Sequence, residues 1–110
     1  MTRALEGTVV LVTGASSGIG AATAISLASE GAAVGIAARR RDRLESLAEK
    51  ITRDGGRALV LETDVTDEKQ ANGMVERTVE EFGRLDTLVN NAGVMLLGPI
   101  LDAPTEEWRR

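Results

Sequence analysis

The feature that most constrains the fold is the stretch over residues 13–20, which reads Thr-Gly-Ala-Ser-Ser-Gly-Ile-Gly. It follows an apolar run over 8–12 and opens a helical pattern that continues to residue 30. A glycine-rich turn between a strand and a helix lets a diphosphate approach backbone N–H groups and the positive end of the helix dipole. The residues expected to form such a turn are three glycines and two serines, namely Gly14, Gly18, Gly20, Ser16 and Ser17. An ordinary strand-to-helix turn is the alternative interpretation.

The rest of the chain alternates short apolar runs with helical patterns. Strands are predicted over 8–13, 33–38, about 58–61 and 85–90, and helices over 18–30, around 44–51 and from about 67 to 83. The near-continuous apolar character of the first strand is typical of a strand buried on both faces of a parallel sheet. Strands that alternate with helices form right-handed βαβ units. We therefore predict an α/β fold, a Rossmann-type doubly wound parallel sheet that is incomplete, with strand order 3-2-1-4.

Several residues predict the ends of these helices. Ser17 is placed as the N-cap of the first helix, and Gly31 follows its last residue, as C-terminal glycines do. Asp67 and Gln70, three residues apart, resemble a capping box at the start of the third helix. Gly73 lies inside that helix and should cost about 0.5–1 kcal/mol relative to alanine.

Composition excludes several classes of function. The chain of 110 residues has a net charge of −4, which argues against nucleic acid as a partner. No apolar run reaches the roughly 18–20 residues of a membrane span, and the N-terminal residues do not resemble a signal peptide, so we expect a cytoplasmic protein. The absence of cysteine excludes disulfides and zinc–thiolate sites within the chain, and no metal site is predicted.

A second candidate site follows the second strand. Chains that bind NAD through a glycine turn of this kind usually carry an acidic residue there, about 20 residues beyond the glycines, for the ribose 2′-hydroxyl. This chain has Ala38 followed by three arginines. Because a guanidinium attracts and hydrogen-bonds a 2′-phosphate, we expect NADP(H) rather than NAD(H), bound by Arg39 first and Arg40 second. The alternative is that these arginines form a solvated helix start.

The spacing Gly-x-x-x-Gly-x-Gly after a threonine resembles the cofactor loop of the classical short-chain dehydrogenase/reductase family. Asn90-Asn91-Ala92-Gly93 at the end of the fourth strand resembles a second element of that family. The resemblance implies that Ile19 belongs to the cofactor loop, that Asp64 accepts a hydrogen bond from the adenine amino group, and that Val65 backs the ring. It also implies that the segment after Asn90 lines the cofactor, through Asn91, Ala92 and Gly93.

Catalysis in that family uses a tyrosine, a lysine four residues later, a serine and an asparagine. The chain contains no tyrosine, and Lys50 and Lys69 do not match the motif, so no catalytic residue is assigned. Residues 1–110 are expected to form a single dinucleotide-binding domain, truncated where a helix begins near residue 104. We expect the chain itself not to turn over.

Two functions remain open from the sequence. The first is the NADP(H)-binding part of an oxidoreductase that transfers hydride between nicotinamide and a small alcohol or carbonyl substrate, with a homo-oligomer as the expected assembly. The second is a non-catalytic dinucleotide-binding module that acts as a sensor or scaffold. A purely structural α/β domain is a third interpretation, but it gives no reason for Arg39 beside the glycine loop.

Overall fold

The structure, a computed structural model, describes residues 4–92. Gly93 and the helix predicted near residue 104 lie outside the described residues. The elements of the described part are, in chain order, β1 (Val9–Thr13), α1 (Gly18–Ser29), β2 (Ala33–Ala38), α2 (Arg41–Arg53), β3 (Arg57–Glu62), α3 (Glu68–Phe82) and β4 (Thr87–Asn90). The strands form one sheet in the order β3-β2-β1-β4, and every neighbouring pair is parallel. The predicted fold and strand order are confirmed.

The helices cover both faces of the sheet. On one face, α1 and α2 pack over Val10, Val12 and Ile36 through small or aliphatic side chains such as Ala24 and Leu44. On the other face, α3 packs over Leu11, Ala37 and Leu61 through Ala71, Met74 and Val75. All five residues of β1 are buried, as expected for a central parallel strand with helices on both sides.

Gly35 in β2 lets α3 lie close to the sheet. A Cβ atom at this position would lie 3.0 Å from both Leu11 Cδ1 and Thr78 Oγ1. Thr78 is fully buried in α3, and its hydroxyl donates a hydrogen bond to the Met74 carbonyl oxygen at 2.7 Å. The Thr78 hydroxyl therefore has its hydrogen-bond partner within α3, and the sheet needs only to leave room for it.

The predicted helix ends are mostly confirmed. Ser17 caps α1, since its hydroxyl accepts from Gly20 N at 3.2 Å, and Gly31 has the positive φ of a C-terminal glycine. Asp67 caps α3 by accepting from Gln70 N at 3.2 Å. The second contact of the predicted capping box, from the Asp67 amide to the Gln70 side chain, is wrong. The Gln70 side chain accepts from Asp64 N at 2.9 Å instead.

The observed bounds of some strands differ from the predicted ones by one or two residues. β2 has the predicted bounds, whereas β4 begins at Thr87, two residues later than expected. The residue before it, Asp86, contacts Val9 twice: its amide donates to Val9 O at 3.0 Å, and its carboxylate accepts from Val9 N at 2.8 Å. The segment entering β4 is therefore anchored to β1 partly by a side chain rather than by backbone pairing alone.

Candidate functional site

The glycine turn between β1 and α1 is packed tightly on its protein side. Gly14 has a φ of +64°, and a Cβ atom there would lie 3.0 Å from the carbonyl carbon and oxygen of Asn91. A Cβ atom on Gly20 would overlap the Gly14 carbonyl oxygen and would lie 2.8 Å from its carbon. The first and third glycines are therefore required by the protein's own backbone, whatever else the turn does.

The second glycine has a different environment. A Cβ atom on Gly18 would meet no protein atom within 4 Å, so packing does not require a glycine at this place. Its neighbour Ile19 is 75% exposed, so the described residues leave this side of the turn uncovered. An open backbone beside an exposed isoleucine is the arrangement expected where a ligand approaches the turn.

The start of α1 also lacks the acidic residues that the other helices have. Its first turn carries no acidic side chain, whereas α2 has Asp42 and α3 has Glu68 in their first turns. Acidic residues near a helix N-terminus are favourable because they face the positive end of the dipole. The N-terminus of α1 thus has its positive end free of carboxylates from its own first turn, which suits an anionic ligand.

A threonine not predicted as a site residue connects the glycine turn to the end of β4. Thr13 is fully buried, and its hydroxyl donates to Asn90 Oδ1 at 2.8 Å. The same hydroxyl accepts from Asn91 N at 3.1 Å, and Asn90 Oδ1 also accepts from Ala92 N at 3.1 Å. The sequence signal that could have identified Thr13 was a hydroxyl side chain at the end of an otherwise apolar strand. Thr13 thereby fixes the backbone that follows β4 against the turn that follows β1.

A cleft of about 290 Å³ opens at the carboxyl ends of the strands. Seven of the predicted residues line it: Gly14, Ser16, Arg39, Arg40, Asp64, Val65 and Ala92. Its remaining lining residues were not predicted: Ala38, Thr63 and Thr66. Ser17, Gly20 and Asn91 contribute to the surrounding turn instead, through the cap and the backbone contact described above. Ligands of open parallel sheets bind at this edge, where the strand order reverses.

The three consecutive arginines differ in their partners. Arg40 pairs with Asp42 at 3.2 Å, and Arg41 pairs with Glu45 at 3.1 Å and with Glu62 at 3.8 Å. Within residues 4–92, Arg39 has no carboxylate within ion-pairing distance, although it is exposed and lines the cleft. Among the three arginines, the one without a salt bridge to a described residue is therefore Arg39, which the sequence pattern ranked first.

Asp64 is held in place by the loop after β3. Its Oδ1 atom accepts from the Thr66 hydroxyl at 2.6 Å and from Thr66 N at 3.0 Å, while its own amide donates to Gln70. The hydrogen bonds from Thr66 lower the pKa of Asp64, and the nearby positive charge of Arg39 lowers it further. The carboxyl group is therefore ionised at neutral pH and can act only as an acceptor.

Two kinds of site are not found among the described residues. In residues 4–92, no group of three or more acidic, histidine or cysteine side chains is arranged to hold a metal ion. None of the helices in that range is both long and apolar enough to cross a membrane.

Comparison with known proteins identifies the family of the chain. The family model for short chain dehydrogenases matches residues 8–110. Glycine betaine reductase ATRR of Emericella nidulans is 51% identical over 96% of this chain, which covers 8% of that protein. An uncharacterized oxidoreductase of Methylorubrum extorquens is 48% identical over 96% of this chain, which covers 43% of that protein.

A solved structure shows the same fold at similar identity. A metagenomic short-chain oxidoreductase, crystallised in complex with NADP, is 41% identical with a TM-score of 0.76, over 82% of this chain and 41% of the other. In each of these comparisons the chain spans less than half the length of the protein that it matches. The parallel sheet and the glycine turn are consistent with the matched family model. The chain belongs to the short-chain dehydrogenase family, with the glycine spacing of its classical branch.

Proposed function

We propose that this chain binds NADP(H) as the nucleotide-binding part of a short-chain oxidoreductase. The whole protein would transfer hydride between the nicotinamide and a small alcohol or carbonyl substrate. The chain itself contains no tyrosine, the residue that the family resemblance implies as acid/base. Residues 1–110 would accordingly supply the binding and orientation of the dinucleotide, and residues elsewhere would supply the proton transfer.

One observation carries the preference for a 2′-phosphate. Arg39 lines the cleft beside Ala38, at the end of β2, with no ion-pair partner in the described part of the chain. An aspartate at this place would accept from a ribose hydroxyl and repel a phosphate, whereas a free guanidinium can donate two hydrogen bonds to a phosphate. The NADP complex of the related metagenomic oxidoreductase supports the same preference.

Different residues of the chain would contact different parts of the dinucleotide. The open side of the glycine turn, at Gly18 and Ile19, would face the diphosphate at the N-terminus of α1. Asp64 and Val65 would contact the adenine, and Asn91 and Ala92 would lie along the ribose on the nicotinamide side. When bound, the nicotinamide would supply the hydride acceptor or donor of the reaction.

The test is a titration of the chain with NADPH and NADH at low ionic strength. We expect tighter binding of NADPH, and a loss of about 10- to 100-fold in NADPH affinity in Arg39→Ala, since hydrogen bonds to charged groups contribute about 1.5–3 kcal/mol. NADH affinity should change much less, because NADH has no 2′-phosphate.

Arg43→Ala is the matched control. Arg43 is an exposed arginine in α2 that does not line the cleft, so its replacement removes the same charge from the same region. Equal affinity of the wild-type chain for the two cofactors would refute the proposal. So would an Arg39→Ala variant that behaves like Arg43→Ala.

A further inference from the structure

Arg40 lines the cleft next to Arg39, but its guanidinium is already occupied. Its terminal nitrogen lies 3.2 Å from Asp42 Oδ2, and its Nε donates to Asp42 Oδ1 at 3.3 Å. The pair therefore uses both carboxylate oxygens and two nitrogens of the guanidinium. A carboxylate and a phosphate bind a guanidinium through the same N–H groups, so they compete for it.

The local backbone favours this pairing. Arg40 is the N-cap residue of α2 with an extended backbone, φ −94° and ψ 90°, and its side chain makes no capping hydrogen bond. Asp42 lies in the first turn, where a carboxylate is favourable near the positive end of the helix dipole. The hydrogen bond from Arg40 also lowers the pKa of Asp42, so the carboxylate stays charged at neutral pH.

We propose that Asp42 determines how strongly this site prefers a 2′-phosphorylated nucleotide, by holding Arg40 away from the phosphate. This inference rests on the proposed function, because it concerns the same cleft. Asp42 weakens 2′-phosphate binding in two ways: it neutralises Arg40, and any phosphate that recruits Arg40 must first displace the carboxylate. Arg39 then acts alone, and Arg40 is a second cation that becomes available only when Asp42 is removed.

The neighbouring pair provides an internal comparison. Arg41 is bound by Glu45 and Glu62, and none of these three side chains lines the cleft. Glu45→Gln therefore removes one negative charge from the same helix without releasing an arginine into the site. It separates the release of Arg40 from a general change in charge.

The probes are adenosine 2′,5′-bisphosphate and adenosine 5′-monophosphate, which differ only in the 2′-phosphate. Binding of each to the chain is measured by calorimetry at low ionic strength. We expect Asp42→Asn to bind the bisphosphate about two- to five-fold more tightly, as expected for an exposed ion pair, and the monophosphate unchanged. The gain should disappear in Asp42→Asn/Arg40→Ala, and Glu45→Gln should show none.

Asp42→Ser is a second variant that also removes the carboxylate and should show the same gain, and circular dichroism verifies that each variant retains its helices. Weaker bisphosphate binding in Asp42→Asn would overturn the inference, because the pair would then orient Arg40 toward the phosphate. A gain that persists without Arg40 would overturn it too, because the effect would then come from long-range charge.

Failure of this inference can be told from failure of the proposed function. If the wild-type chain binds the two probes equally, the proposed preference for a 2′-phosphate is wrong. If Arg39→Ala loses that preference while Asp42→Asn leaves it unaltered, the proposed function stands and only the role of Asp42 is wrong.

Discussion

Replacing Gly20 by alanine should destabilise the protein although the residue lies in a helix. A Cβ atom there would overlap the Gly14 carbonyl oxygen and would lie 2.8 Å from Gly14 C and 3.0 Å from Ala15 Cα, where ordinary contact begins at 3.4 Å. All three obstacles are backbone atoms, so no side-chain rotation relieves the overlap. Either the turn after β1 or the first turn of α1 must move.

The magnitude follows from two opposing terms. Overpacking a tight site costs about 1–3 kcal/mol. Alanine is preferred over glycine in a helix interior by about 0.5–1 kcal/mol, but Gly20 lies in the first turn of α1, where less of that preference applies. The steric term is the larger one, and once the remaining helix preference of alanine is subtracted we expect the free energy of unfolding to fall by roughly 0.5–2.5 kcal/mol. Relative to a total stability of about 5–15 kcal/mol, this is a large loss.

Gly73→Ala is the matched control for this prediction. Gly73 lies inside α3, and a Cβ atom there would meet nothing within 4 Å. The same chemical change should thus stabilise the chain by about 0.5–1 kcal/mol. Urea denaturation followed by far-UV circular dichroism measures both variants. If Gly20→Ala is as stable as the wild-type chain, or if both variants shift in the same direction, the steric reasoning is wrong.

Two further predictions concern contacts of β1. Thr13→Val keeps the shape of the side chain but removes the hydroxyl that bonds Asn90. Urea denaturation should show that the free energy of unfolding falls by about 1–3 kcal/mol, a loss that Thr13→Ser largely avoids. An unchanged free energy of unfolding in Thr13→Val would contradict this. Hydrogen bonds from Arg84 and from Val9 lower the pKa of Asp86 below 3.8, so its charge stabilises the fold above that value, and the benefit is lost as pH falls through the folded pKa. Asp86→Asn should therefore be less stable than the wild-type chain at neutral pH, and acid titration followed by circular dichroism should show the difference narrowing below pH 3.8; a difference independent of pH would refute it.

Local patterns were enough to predict the elements, and the usual topology of doubly wound parallel sheets then predicted their order. The apolar run of β1, the glycine turn and the alternation of strands and helices are properties of neighbouring residues, and they predicted a parallel sheet. Ser17 and Asp67 as caps depend on residues three positions away, which is also local. The exposed position of Arg39 followed from its place after a buried strand.

Contacts between distant or competing groups could not be predicted in this way. The hydrogen bond between Thr13 and Asn90 joins residues 77 apart in the chain. The Gln70 side chain could accept a hydrogen bond from the amide of either Asp64 or Asp67. It accepts from Asp64 because of the conformation of the loop after β3, which the sequence pattern does not specify. Whether Arg40 would face the cleft alone or pair with Asp42 depends on side-chain rotamers at a helix start, which a pattern of residue types does not specify.

The sheet order has a consequence for how the site assembles during folding. The β1–β2 and β2–β3 pairs join residues 24 apart, as in Val9 with Ala33 and Ala33 with Arg57, whereas the β1–β4 contact spans 77 residues. Closing a longer loop costs more chain entropy, and contacts distant in sequence form later when nothing else intervenes. We therefore expect the parts of the cleft that carry Arg39 and Asp64 to form through the shorter-range pairings, before β4 docks on β1 and positions Asn91. The half of the cleft that follows β2 and β3 would then form before the half beside Asn91.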